Sequence, residues 1–436
     1  MSLIKRIRKY RNNFRPKPGS VISRLYKNDI VLSGLISLAA FLVLLGVLEI
    51  GFRLFMPFGA TQWPSRFSPD AGFLFEPNAL VKHTNYLDFW TVEKTNSLGF
   101  LDTEPPASTQ NQCHVTFIGD SFVEAAQVNI PSKVQRIVER TAATRHPGWR
   151  LSTSAFGYSG TGQLNQIPFY DRYAHRLAPK LVVLVFVTND FSNNSAILES
   201  LRNGWHPEHL PRVFAKRVDG EFRLTDIDPN WQSSRLQPIT TSGRLAWLHS
   251  RLKGHSLLYR WVWLKLSLLY PSLQSLEGAS LADQILDRSR RLRAALIDKR
   301  QLNGWDDNYA TDLDRPFHEE HLSPLYAEAV QATRFALQEF RRRAEADGGK
   351  LIVLAASQLT SSAESGGKAN YAMRRLRDIT AQLGIPLLDQ YQFILKQGGD
   401  PSAAGFRHDS HWSEKGHAWA AEMVMQYLEQ NVYICK

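Results

Sequence analysis

Four short blocks of this chain carry residue types suited to ester chemistry, and they stand in a fixed order. They are Gly119-Asp120-Ser121-Phe122, Ser159-Gly160, Asn189-Asp190 and Asp409-Ser410-His411-Trp412. A hydroxyl is a weak nucleophile until a base within hydrogen-bond reach accepts its proton. Ser121 is the candidate nucleophile. His411 is the candidate base, because it combines a loop context with a carboxylate, Asp409, two positions away that could orient the imidazole. Attack on an ester carbonyl builds a tetrahedral oxyanion, which needs preorganised donors. The amide N–H groups of Ser121 and Gly160 and the side-chain amide of Asn189 would supply them.

These residues must be held by regular elements. The run His114–Gly119 (HVTFIG) reads as a buried strand that stops at the serine block, and Ser132–Arg145 follows with apolar residues at helical spacing. The serine therefore falls between a strand and a helix, the edge at which open α/β sheets bind ligands. Trp149–Ala155 reads as a second strand, with Gly157–Gly162 as the loop after it. Leu181–Thr188 (LVVLVFVT) is a central parallel strand apolar on both faces, with Asn189 at its end. Lys350–Ala355 and Ile385–Leu388 make two further strands, and a helix over Ala420–Leu428 follows.

The ordered blocks resemble the SGNH, or GDSL, hydrolase superfamily. The matching residues are Ser121, Gly160, Asn189 and His411, and Thr95-Asn96-Ser97-Leu98-Gly99-Phe100 resembles a lead-in of membrane-anchored bacterial members. The resemblance implies a flavodoxin-like three-layer α/β/α sandwich with a parallel sheet. It covers roughly residues 95–190 and 346–430. It also implies serine esterase or acyltransferase activity, with a cell-envelope or exopolysaccharide O-acetyl ester as the leading substrate class. A lipid esterase or thioesterase, and a non-catalytic subunit bound to a membrane acyltransferase, are the alternatives. Two positions depart from the pattern. Val187 stands where the family has glycine before the asparagine, and the last block is Asp-x-His rather than Asp-x-x-His, with His408 at the position three before His411.

A second feature is an anchor. No charged residue occurs from Ile30 to Leu48, a length that matches the ~20 residues of a membrane-spanning helix. A cleaved signal peptide has an apolar core of only ~7–15 residues and ends in a small-x-small site, which is missing here. Nine cations and no acid precede Asp29, and the positive-inside rule keeps that end in the cytoplasm. The expected protein is thus a single-pass protein of the inner membrane whose catalytic part is extracytoplasmic. Its net charge of +11 reflects mainly this arm, so a nucleic-acid surface is not expected. The expected organisation is a basic arm (1–29), an anchor in contact with lipid (30–56), an N-terminal extension (57–110), two halves of the core (111–190 and 346–436) and a mainly helical insertion or cap (191–345).

Within the insertion, Phe214–Thr225 reads as a hairpin turning at Asp219-Gly220. Leu257–Tyr270 reads as an aromatic helix, either packed on the core, capping the serine, or lying on lipid or a membrane partner. Arg288–Arg293 reads as the solvated face of a helix, and a further helix is expected to start at Ser323-Pro324. His318-Glu319-Glu320-His321 is one residue short of a zinc-protease motif. The spacing of His408, Asp409, His411 and His417 fits no standard metal site. No cofactor or metal is therefore expected, and His417 has a structural reading. Two cysteines, Cys113 and Cys435, exclude a disulfide scaffold. They are either free thiols or one bond. Cys113 opens the first strand at the edge opposite Ser121. A helix over Gly416–Gln430 would span ~22 Å back along the sheet, which favours pairing.

Overall fold

In the computed structural model, residues 21–55, 61–107, 112–236, 244–270, 280–296, 298–358 and 370–435 are described. Residues 1–20 of the basic arm and Met56 lie outside them. The chain divides into two compact units. One comprises residues 1–59 and 247–273, the other residues 60–246 and 274–436.

The first unit is built on a helix, Val21–Phe55. Its stretch Leu32–Phe55 is 24 residues long, long and apolar enough to cross a membrane. Against it lies the helix Leu257–Leu269, one residue shorter than expected. This helix belongs to the compact unit of the N-terminal helix.

The second unit opens with two antiparallel hairpins, β1 (Ser65–Ser68) with β2 (Gly72–Phe75) and β3 (Leu80–Thr84) with β4 (Trp90–Lys94). The Thr95–Phe100 lead-in makes a tight turn, in which buried Asn96 accepts from the N–H groups of Leu98 (3.1 Å) and Phe100 (3.0 Å). The turn delivers Phe100 into the core against Phe156 and Phe169.

The sheet follows, with β5 (Cys113–Gly119), β6 (Leu151–Gly157) and β7 (Leu181–Phe186). A short hairpin, β8 (Ala215–Val218) with β9 (Glu221–Leu224), turns at Asp219-Gly220 as expected, both with positive φ. Strands β10 (Lys350–Ala355) and β11 (Leu387–Asp389) complete the sheet in the order β11-β10-β7-β5-β6, every pair parallel. That is the flavodoxin-like order 2-1-3-4-5, so the expected α/β class and sandwich are found. β7 shows why two layers of helix are needed. Val182, Leu184 and Phe186 enter one core, while Leu181, Val183 and Val185 enter the other. Helices Gln163–Phe169, Pro324–Ala346 and Tyr371–Gln382 contribute to the first core, Val134–Arg145 and Glu414–Gln430 to the second.

Three local readings need correction. β7 stops at Phe186, two residues early, because the Asp190 carboxylate accepts from the Val187 N–H (2.8 Å) and starts a helical turn, Asn189–Asn193. The second strand is shifted to Leu151–Gly157 by a 3-10 turn over Pro147–Trp149. The run Arg288–Arg293 is not wholly solvated. Arg288 is 6 % exposed and donates to the carbonyls of Leu201 and Arg202, closing the end of the helix Ala196–Asn203.

Candidate active site

Ser121 begins a single helical turn, Ser121–Glu124, at the end of β5. The buried Asp120 caps that turn through the Phe122 N–H (3.0 Å). Gly157, at the end of neighbouring β6, lets the turn sit close. A Cβ there would stand 2.4 Å from the Glu124 nitrogen and 2.8 Å from the Val123 carbonyl carbon, both backbone atoms. Because β5 is flanked by β6 on one side and β7 on the other, successive crossovers leave it in opposite directions. The serine thus stands at the switch point where such sheets place ligands.

His411 arrives from the other half of the unit, 290 residues later, on the loop after the 3-10 turn Pro401–Ala404. Two features fix this loop. Trp412 is buried and packs edge-on to Phe122 and His417, and Gly405 and Trp412 form an isolated bridge. The imidazole Nε2 is 2.7 Å from Ser121 Oγ, and its Nδ1 is 2.5 Å from Asp409 Oδ1. The same Asp409 oxygen accepts the His411 backbone N–H at 2.8 Å. With Nδ1 protonated toward the carboxylate, Nε2 is free to accept the serine proton. The structure thus brings Ser121, His411 and Asp409 into one hydrogen-bonded chain. His408 lies outside it, bonded through its Nδ1 and N–H to Asp88 (3.0 and 2.9 Å). The missing residue of the Asp-x-x-His spacing is taken up because the backbone of His411 turns back onto Asp409.

The electrostatics favour a proton-accepting histidine. Burial opposes the charged form of His411, but the Asp409 hydrogen bond and charge, with Asp120 and Glu124 beyond, raise its pKa above the ordinary 6.5. Burial likewise works against the Asp409 carboxylate, and the two bonds from His411 outweigh it and lower its pKa. His417 is of a different kind. Burial pushes it down to about 3, and its Nδ1 accepts the Val134 N–H, so it anchors the base of the closing helix.

The oxyanion candidates converge unequally. Gly160 has φ +65° and is exposed, and a Cβ there would meet open space. Among the described residues neither the Ser121 nor the Gly160 N–H has a hydrogen-bond acceptor. Asn189 differs: its amide nitrogen donates to Asp120 Oδ2 (3.1 Å) and Asn193 Oδ1 (2.8 Å). Both its protons are engaged, so donation to an oxyanion would require one of them to be shared or released. Val187, in place of glycine, is buried in the core below Asn189.

Three residues around the site carry no motif. The Glu124 carboxylate, pushed up to about 7 by burial, accepts from the Ser159 N–H (2.8 Å) and hydroxyl (2.7 Å). Arg212, buried with its guanidinium over Phe73 and Trp205, donates to the Gly160 carbonyl. Together they grip the Ser159-Gly160 peptide from both sides. Lys133, pushed down to about 8 by burial, donates to the carbonyls of Leu101 (2.6 Å) and Glu124 and ties the serine turn to the lead-in. Glu124 lies three residues beyond the serine and so in the same turn. At the far end of β5, away from Ser121, Cys113 and Cys435 are bonded at a Cα–Cα distance of 4.9 Å.

No family model matches the chain, and no curated protein does. Solved structures align with most of it. An acetyl xylan esterase is 10 % identical, with 72 % of this chain and 99 % of that one covered at a TM-score of 0.34. A lipolytic protein of the G-D-S-L family from Veillonella parvula is 11 % identical, with 73 % and 98 % covered at 0.34. A catalytic mutant of an acetylxylan esterase from Geobacillus stearothermophilus is 8 % identical, with 72 % and 92 % covered at 0.35.

Proposed function

We propose that this chain is an SGNH-type serine ester hydrolase or O-acyltransferase, held at the inner membrane by Leu32–Phe55 with its active site outside the cytoplasm. The observation that carries the reading is the chain of hydrogen bonds Ser121–His411–Asp409, 2.7 and 2.5 Å long. Ser121 Oγ attacks the ester carbonyl as His411 Nε2 accepts its proton, and the Asp409 carboxylate stabilises the imidazolium. The oxyanion is received by the Ser121 and Gly160 N–H groups, with Asn189 as a third donor. The imidazolium then protonates the departing alcohol, leaving an acyl-Ser121 ester. In the second half His411 deprotonates water or a sugar hydroxyl, which displaces the acyl group.

The substrate class that fits is an O-acetyl ester on a cell-envelope or extracellular carbohydrate, and a membrane-bound acyltransferase is the partner class that fits a transferase role. Support for a retained anchor comes from Glu49 inside the span, whose carboxylate caps the helix Leu257–Leu269 more than 200 residues later. A segment removed on export would have no such partner to hold. The test is labelling of the full chain with a fluorophosphonate probe, followed by turnover of an acetyl-ester panel. The reading expects stoichiometric adduct on Ser121 and none in Ser121→Ala. A folded wild-type protein that takes up no probe and cleaves no ester would refute it.

A further inference from the structure

The span Leu32–Phe55 contains one acid, Glu49. A carboxylate at membrane depth is costly and marks a role. Its oxygens are occupied by one distant segment and one neighbour. Oε2 accepts from Ser256 Oγ (2.8 Å) and the Leu258 N–H (3.0 Å), and Oε1 accepts from the Leu257 N–H (3.1 Å) and Arg53 Nε (2.8 Å). Arg53 also donates to the His255 carbonyl (2.6 Å), and Phe52 meets Trp261 edge-on at 5.7 Å. Glu49, Phe52 and Arg53 are spaced i, i+3, i+4, so one face of the span holds the junction between the helices Arg244–His255 and Leu257–Leu269. The junction is a single residue, Ser256. Glu49 satisfies the first-turn N–H groups of the second helix as a cap borrowed from another helix.

The inner face of this helical pair is closed by His249, which bonds Tyr259 (3.0 Å) and packs on Trp263. The outer face is apolar and open. Trp247, Leu248, Leu252, Val262, Leu266 and Leu269 are 38–72 % exposed. From Arg244 to Tyr270 there is no acid, while Arg251, Lys253 and Lys265 supply cations and Arg260 donates to the Lys253 carbonyl at the helix junction. Arg251 lies over the Trp247 ring and Lys265 over the Trp261 ring. Apolar and aromatic surface with cations that reach past it is the composition of a helix lying in a bilayer interface and drawn to anionic headgroups. Glu49 stands six residues before the end of the span, about 9 Å along the helix axis. That agrees with the ~5–10 Å depth at which interfacial helices bury their apolar face. The helix Leu257–Leu269 has a single small residue, Ser267, whose hydroxyl bonds the Leu264 carbonyl of its own helix, so it lacks the small-xxx-small pattern through which helices pack on one another inside a membrane.

We propose that the helical pair Trp247–Leu269 is a second membrane contact, lying in the headgroup–acyl boundary of an anionic bilayer and locked by Glu49 to the outer end of the N-terminal helix. This rests on Leu32–Phe55 spanning the membrane and is independent of the ester chemistry. The test uses the full chain, its native disulfide intact, in vesicles of phosphatidylcholine and phosphatidylglycerol. Single cysteines Leu252→Cys, Leu266→Cys, Leu42→Cys in the span and Glu221→Cys in the β8–β9 hairpin carry an environment-sensitive fluorophore. Probes at 252 and 266 are expected to be quenched several-fold by lipids brominated on the acyl chain and shielded from aqueous iodide, with the opposite at 221. Adding Glu49→Ala should return the 266 probe to iodide while leaving the probe at 42 in lipid. A probe at 42 that lipid does not quench would sink the anchor reading itself. A quenched probe at 42 beside probes at 252 and 266 that iodide reaches, or that neither quencher reaches because protein covers them, would overturn the proposal.

Discussion

Replacing Asp409 separates the two things its carboxylate can do. A single oxygen, Oδ1, accepts both the His411 ring Nδ1–H (2.5 Å) and the His411 backbone N–H (2.8 Å). In Asp409→Asn an amide oxygen can occupy that place and keep both bonds, since both partners are donors. The orientation and tautomer of the imidazole should survive, and what is lost is charge. A hydrogen bond to a charged group contributes about 1.5–3 kcal/mol against about 0.5–1.5 for a neutral one, a difference of ~1–2 kcal/mol. That corresponds to a fall in kcat/KM of about 5–30-fold. Asp409→Ala removes the acceptor altogether, and the fall should reach the order of 10⁴. The pH profile supplies an independent reading. His411 acts when neutral, and Asp409 holds its pKa above 6.5, so activity in the wild type should rise with pH through a midpoint above that value. Without the carboxylate charge the lowering effect of burial is less opposed, and the acidic limb of Asp409→Asn must move to lower pH. The assay is hydrolysis of an activated acetyl ester from pH 5 to 9 by the two variants and the wild type. Equal losses in Asn and Ala, or an acidic limb that stays in place, would refute the argument.

Ser121→Ala should lower ester turnover by ~10⁴ or more with an unchanged melting temperature, and near-native rates in a clean preparation would end the serine reading. Gly157→Ala forces a Cβ against backbone atoms of the serine turn. It should cost about 1–3 kcal/mol in urea unfolding together with a drop in kcat, and an unperturbed variant would mean that the turn is not clamped by β6. Joining β5 to the segment after the closing helix, the Cys113–Cys435 bond should leave no thiol titratable with Ellman's reagent in denaturant, and its removal should cost about 2–5 kcal/mol. A reporter fused after Lys436 should be active only outside the cytoplasm, and protease added to spheroplasts should reach the domain. Protection there would reverse the topology.

The catalytic strands were legible because their signals are local. LVVLVF is apolar at every position, as a strand with a core on each face must be, and each functional block sits where such a run stops. Ser121 and His411 were identifiable as residue types with their immediate neighbours. Glu124, Arg212 and Asp88 were not. Each acts through a contact that side-chain chemistry permits almost anywhere, Arg212 on a carbonyl 52 residues away and Asp88 on a histidine 320 residues away. The placement of Leu257–Leu269 was hidden for the same reason. Its aromatic residues suit a core, a cap or a lipid surface equally, and the deciding partner, Glu49, lies more than 200 residues earlier. The early end of β7 was missed because Val187 and Thr188 favour a strand until Asp190 competes for the backbone.

The separation between Ser121 and His411 has a consequence for biosynthesis. A chain made from its N-terminus exposes the serine turn first, and 290 further residues must emerge before the imidazole can reach it. Until then Ser121 has no base beside it. The disulfide obeys the same schedule, since its two halves are 322 residues apart. On the proposed chemistry, a nascent chain is therefore silent until the His411 loop docks beside Ser121. The nucleophile and its activating base are thus assembled together, in one folding step rather than in the order of synthesis.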